Sequence, residues 1–296
     1  MALRDFALLM AMCLIWAVNN IVSKYVVSTL GSPPLFYAAA RFLIVAACLI
    51  PFLRPVPRPL WRLVITAFLM GGGSFGFMFV GLKYATPSAA SVVLQLGMPM
   101  TLILSMLLLG ERVRWARGVG ILLTFAGVLT VMWDPHGFVL SKGLMLVAAS
   151  TLMSSLGVIL TKQIEGMRPI TFQAWVGLVS LVPMAALSAL WEPGQIEFAR
   201  TVGWQFWAAL VFSAVVVSLG AHTVYVTLLQ RYEANLISAL VLMTPLTTIV
   251  MGVVLLHDPF GPRQLIGSLL ALAGILIIAL RGSQVMAALL ALRNRA

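Results

Sequence analysis

The stretch GILLTFAGVL, residues 120–129, returns as GSLLALAGIL at residues 267–276, with Gly, Leu, Leu, Ala, Gly and Leu kept at six of ten positions. Upstream, QLGMPMTLILSMLLLGE (95–111) is answered by VLMTPLTTIVMGVVLLHD (241–258), which carries one residue more. Further back, SKYVVSTLGSPPLFYAA pairs loosely with TKQIEGMRPITFQA. Apolar helices resemble one another by chance. A proline followed by a glycine pair, in the same order and at near-constant spacing, does not follow from composition, and the chain reads as a duplicated unit.

The solvent for which each unit is written is plain from its residues. Of 296 residues, 61% are hydrophobic and 9% charged, where a soluble domain has about 25% charged. Such a balance cannot make a water-facing surface. A helix of ~20 apolar residues crosses the ~30 Å hydrocarbon layer. Runs of that length recur at 6–28, 34–53, 63–82, 87–109, 116–133, 143–161, 169–191, 204–229, 235–256 and 264–280. The turns between them are short and carry Gly, Pro or charge, as in RPVPRP, WDPHG and HDPFGP. This predicts an all-α polytopic membrane protein of ten transmembrane helices. The first run is longer than a signal core and no small-residue cleavage site follows it, so it reads as a retained helix. The segment VMAALLAL after Arg281 is too short to span and reads as lying on the surface.

Five spans fall to each unit, residues 1–137 and 138–282, leaving 283–296 as a short tail. An odd number of spans inserts the second unit upside down. Inverted repeats of this kind are the architecture of many secondary transporters, whose packing opens to either side of a central cavity.

The net charge of +11 does not call for a nucleic acid. Ten spans put both ends on one side. That side carries Arg4, Arg54, Arg58, Arg62, Arg112, Arg114, Arg117, Lys162, Arg168, Arg231, Arg281, Arg293 and Arg295. The other has Lys24, Lys83, Lys142, Arg200 and Arg263, with Arg41 inside a span. Thirteen against five is a positive-inside bias, which makes both termini cytoplasmic. Cys13 and Cys48 lie in separate spans with no pairing pattern, and each reads as a small apolar residue.

Against this apolar background, polar residues inside spans mark candidate sites. Trp16, Asn19, Asn20, Ser23 and Lys24 recur at three and four, forming one stripe of the first helix. Lipid-facing asparagine is expensive, and intramembrane polar groups normally face a bundle interior or a wet cavity. The asparagines suit a zwitterion's ammonium or carboxylate and Trp16 offers a flat apolar wall; the competing reading is hydrogen bonding between helices. Lys24 either joins this stripe or snorkels to the interface. Arg41 either attracts a substrate carboxylate or braces neighbouring helices. Tyr37 and Phe79 are further candidates for the cavity wall, as are Ser155 and Trp175 in the sixth and seventh runs and His222 with Tyr225 in the eighth. The histidine reads alternatively as a neutral packing residue. Pro99 and Pro245 free the carbonyls of Gln95 and Val241 at matching depths, making them candidate hinges with Gln95 near solute. The glycines of MGGGSFGF (70–77), and the pairs Gly120/Gly127 and Gly267/Gly274, read as close helix packing.

The acids are Asp5, Glu111, Asp134, Glu165, Glu192, Glu197, Glu233 and Asp258, all at span ends or in turns. Proton-coupled cation exporters commonly rely on a buried mid-membrane acid, so neutral or zwitterionic solutes are expected. Intramembrane enzymes need a nucleophile with its base, paired carboxylates or metal ligands. His136, His222 and His257 have no HExxH-like spacing and no G-x-S-x-G occurs, which leaves no catalytic or metal site to name. A receptor or structural protein has less need of inverted halves.

Ten spans in two halves, each ending in P…L-G-E/D…G-x6-G, resemble the drug/metabolite transporter superfamily and its EamA-type branch. Pro99, Glu111, Gly120 and Gly127 match the motif in the first half; Pro245, Asp258, Gly267 and Gly274 match it in the second, with Asp258 in place of the usual glutamate. The opening CLIWAVNNIVSKY is most similar to bacterial aromatic amino-acid exporters of the YddG type. The resemblance implies a multi-pass exporter of the bacterial inner membrane, with a central cavity lined by the first four spans of each half and no cofactor. The expected cargo is an amino acid, aromatic or otherwise neutral or zwitterionic, moved from the cytoplasm by alternating access. A multidrug or cationic-metabolite exporter of the same superfamily is the rival. The expected partners are that small molecule and the lipid bilayer, and the unit is read as a monomer.

Overall fold

The computed structural model describes residues 1–54, 56, 58–110, 115–134, 139–161, 164, 168–232 and 234–279. Among them are ten helical spans long and apolar enough to cross a membrane. In chain order they are span 1 (Leu3–Thr29), span 2 (Pro34–Phe52), span 3 (Leu60–Tyr84), span 4 (Pro87–Leu109), span 5 (Trp115–Met132), span 6 (Lys142–Thr161), span 7 (Pro169–Trp191), span 8 (Trp204–Tyr225), span 9 (Ala239–Leu256) and span 10 (Pro262–Ala279). Two small elements were not expected from the sequence. A short helix, Gln195–Thr201, precedes span 8, and a two-residue ladder pairs Trp133–Asp134 with Val139–Leu140 between the halves. Glu111, Glu165, Glu233, His136 and the tail at 283–296 lie outside the described residues.

The way the spans pair carries the duplication into three dimensions. Span 5 lies along span 10, span 2 along span 7, span 3 along span 6 and span 1 along span 9. Moving each partner to its counterpart in the other half reproduces the set: 1 with 9 becomes 6 with 4, 2 with 8 becomes 7 with 3, and 3 with 6 becomes 8 with 1. The pairs 5 with 10, 2 with 7 and 4 with 9 map onto themselves.

Directions follow from individual contacts. A Cβ on Gly127 would lie 2.5 Å from the Gly267 carbonyl, and one on Gly274 would lie 2.6 Å from that of Gly120. Residues rising along span 5 therefore meet residues falling along span 10, and the helices cross antiparallel with backbones in direct contact. Small residues make this approach possible where lipid leaves no hydrophobic drive to hold helices together. Spans 2 and 7 are also antiparallel. Gly177 abuts Ala46 midway, and at the end the Glu192 carboxylate accepts from the amides of Leu35 (2.8 Å) and Phe36 (2.9 Å).

The same device recurs at span 4. Its first turn is met by Asp258, which follows span 9 and whose Oδ2 accepts from the Ser88 amide (3.1 Å) and hydroxyl (2.5 Å). The first turn of a helix presents unpaired N–H groups and the positive end of its dipole, so a carboxylate stabilises it. Asp258 and Glu192 thus each cap a first-half span from a second-half span.

Two departures from α-helical winding are also shared. Span 4 passes through a 3-10 turn at Leu94–Leu96 before resuming at Gly97, and span 9 breaks between Val241 and Met243. Both breaks stand where Pro99 and Pro245 remove the amide that would pair with the carbonyl four residues back. Span 3 winds as a π-helix over Leu69–Gly73 and span 8 over Phe212–Ala221. Each π-segment ends shortly before a basic-tyrosine pair, Lys83-Tyr84 or Arg231-Tyr232.

Candidate functional site

The polar stripe of span 1 meets span 8 and span 9 inside the bundle. Asn19, 5% exposed, accepts through Oδ1 from the Ser213 hydroxyl at 2.8 Å. Asn20 donates through Nδ2 to the Thr248 hydroxyl at 3.4 Å. One turn toward the N-terminal end of the span, the Trp16 ring packs against His222 and Tyr225, both at 5.3 Å between centroids. The Trp16 Nε1 and the Ser23 hydroxyl are buried with no hydrogen-bond partner among the described residues.

Span 2 adds the charge. Arg41, 1% exposed, donates through Nε (3.1 Å) and one terminal nitrogen (2.9 Å) to the Ser218 hydroxyl. Its guanidinium carbon lies 4.4 Å from the centre of the Phe75 ring in span 3, a cation–π distance. Ser218 in turn donates to the Ser213 carbonyl at 3.1 Å, so a continuous chain runs from Arg41 through Ser218 and Ser213 to Asn19. Tyr37, one turn before Arg41, is fully buried against Phe79 at 4.9 Å, and its hydroxyl has no hydrogen-bond partner among the described residues.

The π-winding of span 8 is what assembles this chain. Ser213 and Ser218 are five residues apart, which on an α-helix of 3.6 residues per turn places them on different faces. In a π-helix, residues five apart stack, and single π-turns are frequent at functional sites. The Ser218 bond to the Ser213 carbonyl and the contact of His222 Nδ1 with the Val217 carbonyl (3.2 Å) both have this five-residue reach. Ser213 and Ser218 were not among the sequence candidates, because a period of 3.6 gives them no common face.

Beside the cluster, a cavity of about 220 Å³ opens between spans 2, 3, 7 and 8, lined by Met70, Gln173, Ser218, His222 and Tyr225 among others. A second of about 220 Å³ lies between spans 3, 4 and 6 and is rich in hydroxyls, including Thr101, Ser150, Ser154 and Ser155. There Ser155 donates to the Gly97 carbonyl at 3.1 Å, just past the 3-10 turn that holds the half-buried Gln95. A larger cavity of about 410 Å³ between spans 2, 3, 6 and 7 is walled by apolar side chains such as Phe77, Met184 and Trp191. It has nothing to offer a polar solute.

The structure thus brings Trp16, Asn19, Asn20, Tyr37, Arg41, Phe79, His222 and Tyr225 to the region where spans 1, 2, 3, 8 and 9 converge. Four sequence candidates stand apart from it: Gln95 and Ser155, at the hydroxyl-rich cavity and its 3-10 turn, and Lys24 and Trp175. Lys24 donates to the carbonyls of Leu82 (2.8 Å) and Lys83 (3.5 Å), tying span 1 to the end of span 3, where a cation complements the helix dipole. Trp175 donates its indole N–H to the Leu53 carbonyl at 3.3 Å, beyond span 2. The two cysteines are free, Cys13 buried and Cys48 exposed.

Comparison with known proteins places this architecture. The EamA-like transporter family matches the chain twice, over residues 5–133 and 141–280. A "Probable amino-acid metabolite efflux pump" of Salmonella typhimurium is 28% identical over 286 residues, covering 94% of this chain and 95% of that protein. One of the same description from Escherichia coli is 27% identical with the same coverage. A crystal structure with 22% sequence identity superposes over 100% of both chains with a TM-score of 0.64, a likeness of fold. The chain, a multi-pass membrane transporter and not an enzyme, belongs to the EamA-like transporter family.

Proposed function

We propose that this protein exports amino acids, aromatic and other neutral or zwitterionic ones, across the bacterial inner membrane, with both termini in the cytoplasm. The observation that carries this reading is the polar and aromatic cluster of Trp16, Asn19, Asn20, Arg41 and Tyr225, in which Asn19 and Arg41 are buried, the other three are half-buried, and Tyr225 forms part of the wall of a small cavity. At about 220 Å³ that cavity is smaller than the ~300–1,000 Å³ of pockets for drug-sized ligands, which favours a metabolite over a bulky drug. Asn19 and Asn20 offer both donors and acceptors, as a zwitterion requires. The relatives described as efflux pumps for amino-acid metabolites point the same way.

Alternating access has its parts in the two halves. The family match repeats, and the equivalent spans 2 and 7 run antiparallel, as do 5 and 10. This supports units 1–137 and 138–282 as inverted copies. The breaks before Pro99 and Pro245 lie at equivalent depths and serve as hinges. The rival cargo, an apolar cation, is disfavoured by the buried Arg41 and by the use of Glu192 and Asp258 as helix caps at span ends. Transport driven by the solute's own gradient follows from that distribution of acids.

Purified protein in liposomes loaded with single amino acids, then with a cationic dye, tests the reading. Efflux of amino acids without dye movement is expected. Dye efflux with no amino-acid flux sinks it, and flux that follows an imposed pH gradient without a solute gradient removes the uncoupled mechanism.

A further inference from the structure

We infer that Arg41 is the carboxylate anchor of the transport site, held in reserve by Ser218; the inference rests on the amino-acid reading above and assigns it a specificity residue. The starting point is a charge without its complement. Arg41 is the eighth residue of a nineteen-residue span and 1% exposed. Among the described residues it forms no ion pair, and its second terminal nitrogen has no hydrogen-bond partner. The acids whose side chains are described are engaged elsewhere or lie at the periphery. Asp5 accepts from Tyr232 (2.7 Å) and pairs with Arg231 (3.8 Å), Glu192 and Asp258 cap helices, and Glu197 is exposed.

Arginines inside membranes normally pair with acids or carbonyls, or face water. A structural brace satisfies the fork of the guanidinium with fixed acceptors. Here two of its nitrogens share one hydroxyl, a neutral acceptor where the geometry suits two oxygens side by side. Ser218 is also a wall residue of the cavity, so the acceptor that engages the guanidinium belongs to a residue bordering the space a solute enters. One turn away on the same face, the buried Tyr37 hydroxyl lacks a hydrogen-bond partner among the described residues, and Trp16 Nε1 lacks one across the cluster. These two unpaired donors, with the free guanidinium nitrogen of Arg41, form a receptor for an anion. A substrate carboxylate takes the place of Ser218, accepts both guanidinium N–H groups in parallel and leaves its ammonium to the acceptor oxygens of the asparagine side.

Phenylalanine and phenethylamine differ by the carboxylate alone and give the test, as efflux from proteoliposomes. Wild-type protein is expected to favour phenylalanine by ~30-fold or more, the loss that follows when a buried charge is denied its partner. Arg41→Gln collapses that ratio toward one, and Arg41→Lys, which keeps charge without the fork, leaves it in between. Ser218→Ala removes the placeholder and raises the ratio, through a lower KM for phenylalanine. Equal loss of both solutes in Arg41→Gln, or a ratio lowered by Ser218→Ala, overturns the anchor and leaves a brace. Should Arg41→Gln fail to fold, the lysine and alanine variants decide. If wild-type protein moves no amino acid, the export reading falls by itself. The anchor is then judged on the thermal stability of purified protein with 3-phenylpropionate against phenethylamine. A rise in Tm with the acid alone, weakened in Arg41→Lys, upholds it, and no rise overturns it.

Discussion

Spans 2 and 7 hold the same place in the two halves, each opens on a proline, and they lie along one another. Seven residues in, span 2 has Arg41 and span 7 has Val176. Spans 1 and 6 diverge likewise. With SKYVV and TKQIE aligned, so that Lys24 matches Lys162 in the sequence, Trp16, Asn19 and Asn20 stand against Ser154, Gly157 and Val158. Spans 5 and 10, by contrast, keep the pairs Gly120/Gly127 and Gly267/Gly274, with each of these four against the backbone of the other helix. Duplication preserves what packs. The proposed chemistry sits where the copies have parted.

That comparison can be broken most forcefully at the preserved contacts. Gly127→Leu drives a side chain into the span 10 backbone, which cannot move aside as a flexible side chain would. A loss of ~3 kcal/mol or more is expected, the upper end for overpacking, seen as collapse of the monodisperse peak in detergent. Gly118, where an added Cβ would meet nothing within 4 Å, is the control on the same helix; there leucine changes stability by under ~0.5 kcal/mol.

Next in size is Asp258→Ala. It strips the acceptor from both the amide and the hydroxyl of Ser88, and a lost cap costs ~1–2 kcal/mol. Thermal unfolding measures it. Trp175→Phe removes one hydrogen bond to the Leu53 carbonyl, worth ~1 kcal/mol, and leaves the preference among amino acids unchanged. The smallest effect sharpens the comparison of the halves. Span 4 ends on Gly110 at φ 67°, whereas span 9 ends on His257 at φ 54°. The left-handed region costs a side chain ~1–2 kcal/mol, so His257→Gly raises the melting temperature by the equivalent of ~1 kcal/mol.

The sequence made the scaffold legible for a physical reason. A span of apolar residues reports the lipid around it, a proline reports a missing amide, and a glycine pair seven apart reports a close neighbour. The breaks at Leu94–Leu96 and Leu242 stand where Pro99 and Pro245 required them. The site was legible in part. The stripe of span 1 was visible as a face, but its partners were not, because the π-winding of span 8 brings Ser213 and Ser218 together against the ordinary period. Lys24 and Trp175 showed the converse. Long side chains in the outer third of a span reach backbone carbonyls of a neighbouring segment, and neither carbonyl is marked in the sequence.

The most direct measurement is amino-acid efflux by the double variant Asn19→Leu/Asn20→Leu in proteoliposomes, alongside its expression and size-exclusion profile. If these carboxamides face the solute, the protein remains folded and the flux disappears. Wild-type flux from the doubly substituted protein would mean that the stripe is helix packing and that the path lies elsewhere in the bundle.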